Sequence, residues 1–121
     1  MKITFLGHAT LEIQINEFNL LVDPFISGNP MASEINLDDL KPDFILISHA
    51  HQDHTLDVEK LAKDNNSLII SNFEIVSHFQ SKGLNGHPMN HGGKWNFDFG
   101  ELKYVNACLL YTSDAADERN S

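Results

Sequence analysis

The sequence predicts a mixed α/β fold, on three observations. Residues 2–23 hold three short strand patterns joined by tight turns, which reads as an antiparallel meander. Residues 44–82 then alternate strand, helix, strand and helix, the order of a sheet covered by helices. The apolar runs are strand-sized and fall far short of the roughly 20 residues that a membrane helix needs.

In chain order, residues 2–7 and 10–16 read as the first two strands. In the second, Leu11, Ile13 and Ile15 alternate with Glu12, Gln14 and Asn16, so one face is wet. Asn16-Glu17 is a tight turn into a third strand, Phe18–Asp23. Pro24, Gly28 and Pro30 keep Pro24 to Ser33 irregular, and Asn36 to Leu40 reads as a short helical turn. Phe44-Ile45-Leu46-Ile47 is a buried strand. A helix follows over Leu56 to Lys63, with Val58, Leu61 and Ala62 on its apolar face, then a short strand at Leu68-Ile69-Ile70. Asn72 is a good N-cap for a helix from Phe73 to about Lys82, whose apolar side is Ile75, Val76 and Phe79 and whose end is Gly83. Two last strands, Lys94–Phe99 and Glu101–Ala107, turn at Gly100, with Trp95 and the nearby Phe residues expected in the core.

The 121 residues suffice for one small domain. With 8 basic and 17 acidic residues the net charge is −9, which argues against a nucleic-acid backbone as partner and leaves room for a small-molecule substrate. The N-terminus carries no signal-peptide pattern and no membrane span, so a cytoplasmic protein is expected, with a homo-oligomer left open. The one cysteine, Cys108, rules out an intrachain disulfide.

Chemistry is concentrated in Ser48-His49-Ala50-His51-Gln52-Asp53-His54. Three imidazoles and a carboxylate directly after a buried strand suit zinc first, with manganese or iron as alternatives. In an extended chain His49 and His51 point to one side. Four ligands exceed what a local turn wraps around one tetrahedral ion, so two divalent ions are the easier geometry: His49 and His51 on one, Asp53 and His54 on the other. Two metals bridged by hydroxide make a strong nucleophile at neutral pH. His78, on a helix, and His91 read as surface residues.

His-x-His-x-Asp-His resembles the signature of the metallo-β-lactamase superfamily. Gly7-His8-Ala9-Thr10, Val22-Asp23-Pro24-Phe25 with Gly28-Asn29-Pro30, and His87-Pro88-Met89-Asn90 followed by Gly92-Gly93 and Phe97-Asp98-Phe99-Gly100 sharpen the likeness. Together they look like the metal-dependent hydrolases close to ascorbate-6-phosphate lactonases. The resemblance runs to about residue 107 and implies the N-terminal half of a four-layer αβ/βα sandwich with a two-metal site at the sheet edges. It implies His49, His51, Asp53 and His54 as ligands and Asp53 as a group that orients the attacking water. It places His8 beside the site, either supporting a ligand or facing substrate, and Asp23 near the site, holding the ligand loop. The activity implied is hydrolysis of a small ester, lactone or phosphoester. A nuclease of the same superfamily is the rival, disfavoured by the acidic balance. A di-iron redox module is a further rival, disfavoured because position 52 is Gln rather than the Glu such relatives carry.

The tail from Cys108 to Glu118 looks like the translation of a transposon-end sequencing adapter, which makes residues 108–121 foreign to the domain. The resemblance places a further ligand His just beyond Ala107, about where Leu109 stands, and a bridging Asp and a final His farther on. The chain as given is therefore expected to carry half a dinuclear site, to bind metal weakly at most, and to be inactive.

Overall fold

A computed structural model describes residues 1–7, 10–27, 34–48, 57–89 and 93–104. The chain divides into two compact units, Met1–Met89 and Asn90–Ser121, taken in turn below.

The first unit is built on a six-stranded sheet in simple spatial order, β1 to β6. Strands β1 (Lys2–Gly7), β2 (Thr10–Ile15) and β3 (Phe18–Val22) form the expected antiparallel meander. Asn16 makes the β2–β3 turn at φ 56°, a left-handed conformation that asparagine tolerates better than most residues. After β3 the sheet becomes parallel. Strands β4 (Phe44–Leu46), β5 (Leu68–Ser71) and β6 (Asn85–Pro88) continue it in that sense. A 3₁₀ turn at Leu37–Asp39, with Asn36 Oδ1 accepting from Asp38 N at 3.0 Å, matches the helical turn expected there.

Helix α1 (Val58–Asn65) links β4 to β5, and α2 (Phe73–Gln80) links β5 to β6. The sequence placed α1 over 56–63. Leu56 lies outside the described residues, and the helix runs on to Asn65 because Asn66, at φ 54°, supplies a left-handed C-cap. Helix α2 is capped as expected, Asn72 Oδ1 accepting from Ile75 N at 2.9 Å. It ends at Gln80 rather than Lys82: Ser81 to Gly83 already turn, Gly83 sits at φ 86°, and Leu84 N donates back to Phe79 O at 3.2 Å.

Register explains the core. Leu21, Ile45 and Ile69 are cross-strand neighbours and form one row of the sheet, which ends at Gly86 on β6. That row packs with Ile26, Leu40, Ile47, Val58, Leu61, Ala62, Ile75 and Phe79 into one cluster beneath the helices. Gly86 has a packing reason: a Cβ there would stand 2.6 Å from Val76 Cγ1. The opposite face is apolar too, through Leu20, Phe44, Leu46 and Ile70. Toward the β1 edge this face opens, and Ile3 and Phe5 are 59% and 61% exposed.

Strand β6 was not foreseen. Asn-Gly-His-Pro carries no apolar alternation; among the described residues it pairs with β5 only and forms the sheet edge, where proline is tolerated.

The second unit contains one described hairpin, β7 (Lys94–Phe97) with β8 (Gly100–Lys103). The expected turn at Gly100 is displaced. Asp98 and Phe99 make it, and Gly100, at φ 137°, opens β8, so the first strand is shorter than read from the sequence and the second begins one residue earlier. Residues 105–107 of the expected last strand lie outside the described residues. The placement of Trp95 in the core also needs correction, because its side chain is 56% exposed while Phe99 is buried. A two-stranded ribbon buries little by itself, and the aromatic packing concentrates at the turn, where the Phe97 and Phe99 rings stack at 5.4 Å.

Candidate metal centre

In open sheets with parallel strands, ligands bind beyond the carboxyl ends of the strands. Here the flanks of the candidate residues converge on that edge. Gly7 ends β1 and pairs with Thr10, Asp23 follows β3, Ser48 follows β4, and Met89 follows β6. His8 comes directly after Gly7, and the His49–His54 motif directly after Ser48. His8, His49, His51, Asp53 and His54 themselves lie outside the described residues, as do His91 and residues 28–33.

The frame around them is well defined. Asp23 is 4% exposed and sits at φ 47°, a conformation few non-glycine residues adopt without being held there. Its carboxylate holds Ser48 by two bonds: Ser48 N donates to Oδ1 and Ser48 Oγ to Oδ2, each at 2.7 Å. Its own amide donates to Leu46 O at 2.8 Å, and its carbonyl accepts from Thr10 Oγ1 at 2.8 Å. Thr10, fully buried, also accepts from Phe25 N at 3.1 Å. The residue immediately before His49 is thus fixed by a buried carboxylate and the β2–β3 edge behind it.

The far end of the motif is fixed as well. Asp57, 5% exposed, accepts at Oδ2 from Ile26 N at 2.5 Å and Ser27 N at 2.9 Å, and its amide donates to Pro24 O at 3.4 Å. Neighbouring ends are pinned similarly: Ser71 Oγ donates to Ile47 O at 2.7 Å, and Met89 N donates to Ser71 O. His87 lies on β6 opposite Ile70, half-buried, on the sheet face away from the helices. His78 is exposed on α2, its ring edge-on to Phe79 at 5.0 Å, in keeping with a surface residue.

Among the described residues no three metal-capable side chains cluster. The motif's donors, neutral imidazoles plus carboxylate, are those that borderline divalent ions take. Thr10, Ser48 and Asp57 escaped the sequence reading. Asp57 falls inside the helix read over Leu56 to Lys63, and only the fold places it ahead of that helix and reveals its distant partners.

Known proteins fall in line with this geometry. Residues 2–119 match the family model described as a β-lactamase superfamily domain. A metal-dependent hydrolase of the UPF0173 group from Flavobacterium johnsoniae is 59% identical over 107 residues, 88% of this chain and 48% of the relative. One from Christiangramia forsetii is 52% identical over 97% of this chain and 51% of its own length. The chain thus spans about half the length of the curated relatives it matches. Among solved structures, Igni18, a metallo hydrolase from the archaeon Ignicoccus hospitalis, superposes with a TM-score of 0.70 at 28% identity, over 79% of this chain and 42% of that one. An isothiocyanate hydrolase from Delia radicum gut bacteria shares the fold, with a TM-score of 0.65 at 24% identity over 81% of this chain and 44% of that one. A family match over nearly the whole sequence, with the sheet, the helices and the framed motif in agreement, means that this chain belongs to the metallo-β-lactamase superfamily.

Proposed function

We propose that this chain is part of a metal-dependent hydrolase acting on a small ester, lactone or phosphoester, in a cytoplasmic protein. The observation that carries the reading is the pinning of Ser48 by buried Asp23 immediately ahead of His49-Ala50-His51-Gln52-Asp53-His54, at the carboxyl edge of the sheet. His49 and His51 would hold one divalent ion, and Asp53 and His54 a second, with zinc the first choice. Bound there, such ions supply an activated water at neutral pH and stabilise the charge that develops in hydrolysis. The chain's own groups do the rest. Asp23 positions the start of the ligand turn, Asp53 orients the attacking water, and His8 faces the substrate. The acidic balance of the sequence, −9 overall, favours a small molecule over a nucleic acid.

Because the chain spans about half of its relatives' length, the four ligands would form half of the dinuclear site, and the 121 residues alone would be inactive. Residues 108–121 would be foreign to the domain. An independent read of the source DNA through codon 107 tests this; a His codon within a few positions is the expected result.

The activity test is a panel of p-nitrophenyl esters, lactones and phosphodiesters, assayed with the full-length protein loaded with zinc or manganese. Hydrolysis of at least one class, abolished by His51→Ala and by chelation, is expected. Chelator-resistant hydrolysis, or none in any class, contradicts the reading.

A further inference from the structure

An aspartate at a helix N-cap ordinarily accepts a hydrogen bond from the second or third amide of its own helix. Asp57 holds that position at the start of α1 and makes no such bond. Its Oδ2 instead reaches back 31 and 30 positions to the amides of Ile26 and Ser27, and it does so buried. Hydrogen bonds to a buried carboxylate are charge-assisted and stronger than those of a neutral cap. The side chain is therefore spent on joining two distant segments rather than on starting its own helix.

What it joins decides its role. Ser48 and Asp57 bracket residues 49–56, which contain the whole His49–His54 motif. Ser48 is held by the carboxylate of Asp23, and Asp57 by Ile26, Ser27 and the Pro24 carbonyl. Both ends of the motif segment are thus tied to one stretch of five residues, Asp23–Ser27. That stretch is anchored in turn by Thr10, through Asp23 O and Phe25 N.

We propose that Asp57 is a positioning residue for the metal-binding turn, closing it at its C-terminal end as Asp23 closes it at the other. The assignment rests on the metal-dependent reading above. Groups that hold ligands in place typically change metal affinity 10- to 100-fold when removed, about the loss expected here. Among the described residues nothing donates to Asp57 Oδ1. In Asp57→Asn the single amide oxygen can therefore keep both bonds, whereas Asp57→Ala loses them.

The test is a cobalt(II) titration of the full-length protein, followed by visible absorption, for wild type, Asp57→Ala and Asp57→Asn. Asp57→Ala should bind cobalt roughly 10- to 100-fold more weakly, with an altered ligand-field spectrum. Asp57→Asn should stay near wild type. If Asp57→Ala does not fold, Asp57→Glu takes its place; it keeps the charge but displaces the carboxylate by one methylene, and a similar loss is expected. A folded Asp57→Ala or Asp57→Glu with wild-type affinity and spectrum overturns the assignment, as does an Asp57→Asn as impaired as Asp57→Ala. Wild-type protein that takes up no cobalt overturns the metal reading and the assignment together.

Discussion

At the scale of single residues, the account turns on two buried carboxylates. Asp23 combines a left-handed backbone with a two-bond hold on Ser48. Each bond to a charged group contributes about 1.5–3 kcal/mol net. Asp23→Ala should therefore lower stability by roughly 2–4 kcal/mol, since the two losses overlap and Ser48 is open to water. Asp23→Asn should cost only about 1 kcal/mol, because its oxygen still accepts from Ser48 N while its amide donates to the rotatable Ser48 hydroxyl. Urea denaturation of the two variants checks both figures. Asp23 was legible in the sequence, since Asp-Pro after an apolar strand marks a strand end, and the resemblance gave it a role. Asp57 was not. Its partners are some 30 residues away, and local pattern carries no information about them.

At the scale of elements, strands with apolar alternation and helices with caps were legible nearly to the residue. The meander, β4, β5 and the Asn72 cap are examples. Elements lacking those signals were missed or shifted. Strand β6 pairs through its backbone and has almost no apolar pattern, and the β7–β8 turn falls on Asp98-Phe99, where Phe99 looks like strand. Two expectations follow from packing at this scale. Asn72→Ala removes the bond to Ile75 N and should cost about 1 kcal/mol in chemical denaturation. Gly86→Ala drives a methyl against Val76, 1% exposed in the core, and should cost about 1–3 kcal/mol. Adding Val76→Ala should recover part of that loss, giving a double variant clearly more stable than the sum of the singles. Additive losses would show that Val76 is not what the methyl meets.

At the scale of the whole molecule, the strand and helix patterns pointed to an α/β chain, and the sheet supports the fold while the family match establishes the superfamily. The sheet has an apolar row on each face, with helices on one. On the other, Ile3 and Phe5 lie largely exposed at the β1 edge. Exposed apolar groups side by side on one strand favour association. Replacing both by Thr should lower light scattering of the 121-residue chain at high concentration while leaving its unfolding midpoint nearly unchanged. The ligand motif was legible because three His and one Asp fall within six positions. The frame that brackets it was not, since its bonds join residues 25 to 31 positions apart.

The central claim is that His49, His51, Asp53 and His54 supply part of a metal site completed by the rest of a longer protein. Calorimetric zinc titration tests it most directly, run on the full-length protein, on its His51→Ala variant and on the 121-residue chain. The account predicts two tight equivalents in the full-length protein and a large loss in His51→Ala. For the 121 residues alone it predicts affinity weaker than about 1 μM, roughly −8 kcal/mol. A full-length protein that takes up no zinc contradicts the claim that the motif is a metal site. Submicromolar binding by the 121 residues that disappears in His51→Ala contradicts the claim that the rest of the protein must complete it.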